Sequence, residues 1–402
     1  MPRSGWRKPV TDRRLSDLVS VGLLTRVFPP GVVDEVIARA GRTEQRSRVL
    51  PARVVAYFTI AMALNAQDSY EDVFADLVEG LSWASGWEDQ AASPSPSPSA
   101  IFQARARLGA DPVEALFRTV AMPLARPEWD DSWLAGRRLL AIDGTTVDIA
   151  DTPVNDAEFG RPGVGRGEQA AYPQARVVAV AETGTHAVVD AVIGDTGTGE
   201  TTLAGQLIDR LRPGVVLMAD RGFYSFRLWR RAQDTGADLL WRIRANVKPR
   251  HVQTLPDGTW LADISPSSGP GWREVQPVRV RVIDYEISTG ENTSNGYRLL
   301  TTLTDPGEAR AEDLAAAYHR RWEIESVFDE LKTHQRGPRI VLRSKSPDLV
   351  RQEIWGHLCC HYAIRSLMAD TASHSGADPG RVSFVKALRL CRRSLTQGDF
   401  PP

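Results

Sequence analysis

Two carboxylates and one helical pattern mark where this chain could do chemistry. Asp143 ends the apolar run RLLAID and Asp220 ends GVVLMAD. Each acid leaves a strand-like segment at its C-terminal end, where α/β folds gather their functional groups. A hard divalent cation such as Mg²⁺ takes oxygen ligands and is held by one or two carboxylates together with substrate phosphates. Two such aspartates could supply that site, although an Asp after a strand is equally an ordinary turn or capping residue. A third element narrows the choice. In AAAYHRRWEIESVFDELK, Tyr318, Arg321, Glu325 and Lys332 stand at offsets of 0, 3, 7 and 14. At about 100° per residue they fall within a sector of about 60° on one helix face. Ile324, Phe328 and Leu331 form the adjoining apolar stripe, so the predicted helix can bury that stripe and turn its polar row to a groove. The plain alternative is a surface helix with i,i+4 charge pairs.

The elements that must position these residues are also legible. From Arg138 the chain runs through short Val-, Ile- and Leu-rich segments, RLLAID, RVVAVAE and HAVVDAVIG, then alternates helix with strand through GVVLMAD and DLLWRIR. This predicts a mixed sheet covered by helices. Turn signals at Asp257-Gly258 and Asn295-Gly296 around β-rich runs such as VRVRVIDYEI predict a β-rich insertion. After it, YRLLTTLTD rejoins the main fold and a long helix starts near Ala311. Residues from about Leu15 to Leu81 read as short amphipathic helices. Between them Arg39, Arg42, Arg46, Arg48 and Arg53 face only Glu44, which suits either a phosphate-contacting segment or a solvated helix edge. The Ser-Pro alternation from Ser93 to Ser99 predicts an extended connector, and 101–120 predicts helices leading onward. The expected division is a helical DNA-binding domain over 1–91, a linker with connecting helices over 92–136, a catalytic core over 137–244 and 297–370, the insertion over 245–296, and a helical tail over 371–402.

Bulk properties bound the class of protein. A chain of 402 residues can hold two or three domains with cores of their own. Its cysteines, Cys359, Cys360 and Cys391, show no CxxC pairing and suit a reducing, cytoplasmic compartment. No segment predicts a signal peptide or a membrane helix, so no membrane partner is expected. The formal net charge of −1 argues against a polycationic DNA coat and leaves local basic surfaces open. Five of the 49 cationic residues are Lys; codon bias in a GC-rich genome explains the excess of Arg.

The spacing Tyr318-(2)-Arg321-(3)-Glu325-(6)-Lys332 resembles without a gap the Y-(2)-R-(3)-E-(6)-K signature of bacterial insertion-sequence transposases of the DDE type, in the subgroup named for insertion sequence four. Asp220-Arg221-Gly222-Phe223 resembles that family's second-aspartate motif and Ile142-Asp143-Gly144-Thr145 its first. The N-terminal helices and Ala104-Arg105-Ala106-Arg107-Leu108-Gly109 are similar as well, so the resemblance covers most of the chain. It implies a ribonuclease-H-like α/β core in which the first and fourth strands lie side by side. The acidic helix packs against them, bringing Asp143, Asp220 and Glu325 around two metal ions, Mg²⁺ with Mn²⁺ as a substitute. It implies cleavage of double-stranded DNA at element ends and strand transfer into target DNA, by a homodimer on DNA that associates with the nucleoid when acting. The ions would activate a water or a DNA 3′-hydroxyl and stabilise the leaving oxygen. Arg321 and Lys332 would hold phosphates, and Tyr318 would position the DNA backbone.

Beyond that helix, Arg336, Arg339, Arg343 and Lys345 form a basic run with no acid before Asp348. It is predicted to lie along DNA, with a solvated loop as the alternative. Trp260 and Trp272 could stack on an unpaired base or pack within the insertion. GDTGTGETT, from Gly194 to Thr202, lacks the Gly-Lys-Ser/Thr ending of a phosphate loop and reads as a turn and helix start. His357, Cys359, Cys360 and His361 lack structural-zinc spacing. Two other readings stay open. One is an inactive or truncated DNA-binding relative, since the chain ends at GDFPP where family members often continue into a basic tail. The other is a two-metal nuclease without strand transfer. A tyrosine recombinase, which links itself covalently to DNA, is disfavoured.

Overall fold

The computed structural model describes residues 22–45, 50–85, 96–165, 168–266, 274–286, 288–289, 292–293, 296–337 and 340–396. Arg46, Arg48, Trp272, Asn295 and Arg339 fall outside the described residues, as do both termini.

A single sheet of ten strands organises the molecule. They are β1 (Trp133–Leu134), β2 (Arg137–Asp148), β3 (Gln174–Glu182), β4 (Val188–Gly194), β5 (Val215–Ala219), β6 (Asp238–Arg242), β7 (Arg250–Thr254), β8 (Trp260–Ile264), β9 (Val278–Tyr285) and β10 (Tyr297–Thr301). Their spatial order is β4-β3-β2-β5-β6-β10-β9-β8-β7, with the short β1 paired to β2. β2, β5 and β6 pair in parallel and the remaining neighbours antiparallel. The first and fourth strands of the expected core, β2 and β5, are adjacent with Ile142 beside Ala219. Asp143 and Asp220 each follow that last paired residue. Asp220 stands just past the end of β5, whereas β2 runs on through Asp143 to Asp148 in antiparallel pairing with β3, so the expectation that Asp143 closes its strand is corrected: only its parallel pairing stops there. The β-rich segment does not form a separate body. Its strands lengthen the same sheet, because β10 pairs with β6 and passes the hydrogen-bonding edge on to β9, β8 and β7.

Helices cover both faces, as the apolar character of β2, β3 and β5 on either side requires. The N-terminal helices are α1 (Pro30–Arg39), α2 (Ala52–Leu64), α3 (Tyr70–Ser85), α4 (Pro98–Leu108) and α5 (Asp111–Val120), followed by α6 (Pro153–Phe159). Next come α7 (Glu200–Ile208), α8 (Phe226–Gln233), α9 (Ala311–His319), α10 (Glu323–Asp329), α11 (Pro347–Ser375) and α12 (Phe384–Thr396). α7 and α8 bury Leu203, Leu207 and Trp229 against one face of the sheet. α11 packs on the opposite side within one continuous apolar cluster that includes α2, α5 and Ala141, Ala179 and Ala191 of the sheet. Here α11 and α2 approach so closely that a Cβ on Gly356 would stand 2.6 Å from the Thr59 carbonyl oxygen. Cys359 and Cys360 of α11 and Cys391 of α12 are all buried in this cluster.

Two expectations change. The end of the Ser-Pro stretch is helical: Ser97 caps α4, its Oγ accepting from Ala100 N at 3.3 Å. The predicted long helix from Ala311 is broken twice, by a 3₁₀ turn at Arg320–Trp322 and by a π turn at Glu330–Gln335. The first turn is overwound and the second underwound, so Arg321, Glu325 and Lys332 still reach the same side of the segment. Interactions outside the segment hold both turns, which periodicity alone does not reveal.

Candidate active site

The site is built where the parallel pairing of β2 with β5 stops. Within β2, Asp143 Oδ1 accepts from the Gly144 amide at 2.8 Å, and after β5, Asp220 Oδ1 accepts from the Gly222 amide at 2.7 Å. Each carboxylate is thus pinned through one oxygen. For Asp143 the other oxygen faces Arg321 Nη1 at 3.3 Å. The same guanidinium approaches Glu325 Oε1 through Nη2 at 3.7 Å. Arg321 is 5% exposed and its Nε has no partner among the described residues. One buried cation therefore lies between two of the three predicted acids, and the third lies close enough for its charge to act on Asp143.

Burial pushes the Asp143 carboxyl up to about 6, against the Gly144 amide and Arg321, with the charges of Asp220 and Glu200 adding to the rise. Asp143 is held where its negative charge is expensive, and a cation would relieve that cost. Glu325 lies at the rim with its side chain half exposed. The donor set is oxygen throughout, which fits a hard divalent ion. As they stand, no three His, Cys, Asp or Glu side chains among the described residues are close enough to hold one; the Arg321 guanidinium occupies the space between Asp143 and Glu325.

Glu200 was missed at the sequence level. It opens α7, and its carboxyl packs on the backbone of Gly144 so tightly that a Cβ there would meet Glu200 Cδ at 2.7 Å. The available signal was GDTGTGETT, whose turn set the start of α7 and hence the place of its first acid.

The remaining predicted residues divide. Lys332 donates to Thr145 Oγ1 at 3.1 Å, and burial lowers its pKa with help from Arg336. It therefore stands two residues along β2 from Asp143. Lys345 is exposed. Tyr318 is 2% exposed, its hydroxyl 3.5 Å from the Ala219 carbonyl oxygen, and burial pushes the phenol well up. It supports the end of β5 instead of facing DNA. Arg336 is 6% exposed, and Arg343 donates to the carbonyl oxygens of Asp68 and Ala66 at 2.8 and 3.0 Å. The expectation that these two arginines lie along DNA is corrected: Arg343 ties the loop after the π turn to the chain before α3, and Arg336 is buried, its Nε without a partner among the described residues. Trp260 stacks on His251 at 5.4 Å between ring centroids, so packing within the sheet extension accounts for it. In the N-terminal arginine group, Arg39 pairs with Glu35 and Arg53 with Asp34.

Residues 18–118 match the family described as insertion element 4 transposase N-terminal, and residues 134–363 match the transposase DDE domain. The transposase InsG for insertion sequence element IS4 of Escherichia coli K12 is 30% identical over 381 residues, 92% of this chain and 83% of that protein. The putative transposase InsZ of the same organism is 27% identical over 236 residues, 58% of this chain and 75% of its own length. Among solved structures, a piggyBac transposase synaptic complex with hairpin DNA aligns with a TM-score of 0.46 at 12% identity, covering 94% of this chain and 80% of the other. The matched segments span the N-terminal helices and the sheet from Leu134 onward, Asp143, Asp220 and Glu325 included, and the chain belongs to the DDE transposases of the insertion element 4 family.

Proposed function

We propose that this DNA transposase cleaves the ends of its insertion element and joins them to target DNA using Asp143, Asp220 and Glu325 as its acidic triad. The observation that carries the reading is the Arg321 guanidinium between Asp143 and Glu325, with Asp220 at the adjoining end of a parallel strand pair. The three carboxylates would hold two Mg²⁺ ions, with Mn²⁺ as a substitute, and these supply an activated water or 3′-hydroxyl and stabilise the leaving oxygen. The Gly144 and Gly222 amides orient the aspartates. Arg321, freed from the carboxylates, offers a planar fork to the scissile phosphate. Lys332 and Lys345 contact neighbouring phosphates as point charges, together with Arg339 of the same basic run.

Arg221, Arg242, Arg244 and Arg298 line a groove with Tyr285, Tyr297, Asp284 and Glu286 beside the end of β5; Arg298 is paired with Asp284 at 2.6 Å, and the Arg242 guanidinium lies 3.9 Å from the Tyr297 ring centroid. Such an arginine-rich groove suits a path for the DNA backbone. Two copies acting on paired ends, at the bacterial nucleoid, complete the reading.

The test uses DNA carrying the ends that flank the reading frame. Asp143→Asn, Asp220→Asn and Glu325→Gln are each expected to lower cleavage at least a hundredfold (about 3 kcal/mol of transition-state stabilisation) while end binding persists. Normal cleavage by any one variant removes that residue from the triad. With pre-cleaved ends and Mg²⁺, joining supports a transposase, cleavage without joining supports a nuclease, and binding alone supports an inactive relative.

A further inference from the structure

Behind α10, on the side away from Asp143, lies a buried polar cluster that the reaction does not itself use. His186, in the turn between β3 and β4, has a left-handed φ of +58°, a conformation that a non-glycine residue keeps only where its surroundings impose it. Its Nε2 stands 2.9 Å from Glu323 Oε2, at the first residue of α10. Its Nδ1 stands 2.7 Å from Arg365 Nη2. Nδ1 also lies 3.4 Å from Glu330 Oε1; a guanidinium has donors only, so the nearer Arg365 donates to Nδ1 and leaves Nε2 to donate to Glu323. Arg365 also clamps Glu330, the first residue of the π turn, with Nε to Oε2 at 3.0 Å and Nη2 to Oε1. His361 Nε2 meets the same carboxylate at 3.0 Å.

His186 is 9%, Glu330 7%, Arg365 3% and His361 0% exposed. Buried charge of this kind gives less stability than apolar packing would, and its attested use is to fix one arrangement among several. The arrangement fixed here is local. Glu323 and Glu330 bracket Glu325 along the chain, and both are tied through His186 and Arg365 to β-sheet and α11.

We propose that Glu323, His186 and Glu330 are positioning residues, a brace that holds both ends of the Glu325-bearing segment and so sets that carboxylate and Lys332 against Asp143. The inference rests on the reading of Glu325 given above. Glu323 is the clean point of attack because its side chain is nearly half exposed, so its truncation leaves the core intact.

The experiment compares full-length Glu323→Ala, Glu323→Gln and His186→Asn with the parent chain. Asn tolerates the left-handed backbone but is too short to bridge Glu323 and Arg365. The measurements are single-turnover cleavage of end DNA with Mg²⁺, end binding without metal, and thermal melting, with Glu325→Ala as control. Glu323→Ala and His186→Asn are expected to cleave tenfold to about a hundredfold more slowly, the usual consequence of a misplaced catalytic group, with unchanged end binding. Melting stays unchanged for Glu323→Ala and falls for His186→Asn, which leaves the buried Arg365 donor without its partner. Glu323→Gln, which keeps an acceptor for His186, retains most of the rate. The brace is overturned if Glu323→Ala cleaves at the parental rate, if Glu323→Gln falls as far as Glu323→Ala, or if the loss in Glu323→Ala is matched by weaker end binding or lower melting. If Glu325→Ala itself cleaves normally, the triad assignment fails. If Glu325→Ala is inert while Glu323→Ala and His186→Asn are normal, the brace alone fails.

Discussion

Asp143 combines two demands that oppose each other, burial and charge. In the unfolded chain its carboxyl ionises at its ordinary value of 3.8, and in the folded protein burial pushes this to about 6. Because the folded pKa is the higher one, burial costs nothing while both states are protonated. The cost appears as pH rises between those two values and stays at neutral pH. Asp143→Asn is therefore expected to stabilise the protein at pH 7 by up to about 2 kcal/mol and to give no gain near pH 4, read from urea unfolding at both pH values. Equal effects at the two pH values would show that burial of this charge is not the source. The residues of the site were legible to different degrees. Asp220 was legible as a strand end because it closes an apolar run, whereas Asp143 closes a run just as apolar yet lies within β2, since the strand continues to Asp148 against β3. Glu200 could not, because its contact with Gly144 depends on where α7 docks. The inward turn of Arg336 and Arg343 was equally hidden, since a basic run looks the same whether its partners are phosphates or carbonyl oxygens of the chain itself.

At the scale of elements, periodicity predicted the helix bearing Glu325 but not its two breaks. A 3.6-residue repeat records which side faces the core; it does not record Arg365, His361 and His357, which receive Glu330 and Gln335 at either end of the π turn. Gln335 Nε2 donates to the His357 carbonyl oxygen at 3.0 Å, and Gly337, with φ of +101°, ends the segment. α11 is thus the template on which the catalytic segment takes its shape, and its own seat depends on Gly356. A methyl group there would meet the Thr59 carbonyl oxygen and its neighbours on α2, backbone that cannot step aside as a flexible side chain would. Gly356→Ala is expected to destabilise the protein by about 1–3 kcal/mol through overpacking, seen as a lower urea midpoint at constant slope. A midpoint unchanged or raised, as higher helix propensity alone would give, would mean that the two helices are not locked together.

For the whole molecule, the mixed α/β class, the N-terminal helices and the β-rich addition before the last catalytic helix were legible in the sequence. That the addition joins the main sheet was not, because strand pairing with β6 involves residues far apart in the chain. The result is one long sheet whose two aspartates sit mid-span, with the arginine-lined groove to one side. DNA bound along such a surface releases counterions. End binding is expected to weaken steeply with salt, roughly in proportion to the number of phosphates engaged, while Asp143→Asn leaves that slope unchanged. Light scattering of the protein with end DNA is expected to give two copies per pair of ends; a one-to-one particle at saturating DNA would exclude the proposed homodimer.

The three cysteines add a consequence of their own. Cys359, Cys360 and Cys391 are interior residues, and burial pushes all three thiols upward. A neutral thiol with no route to solvent is a poor nucleophile, so two associating copies have no thiol to share across their contact. Any pairing of this protein must dissolve and re-form by ordinary reversible contact, free of disulfide cross-links, and an oxidant would reach these thiols only in copies whose α11 or α12 has already come away.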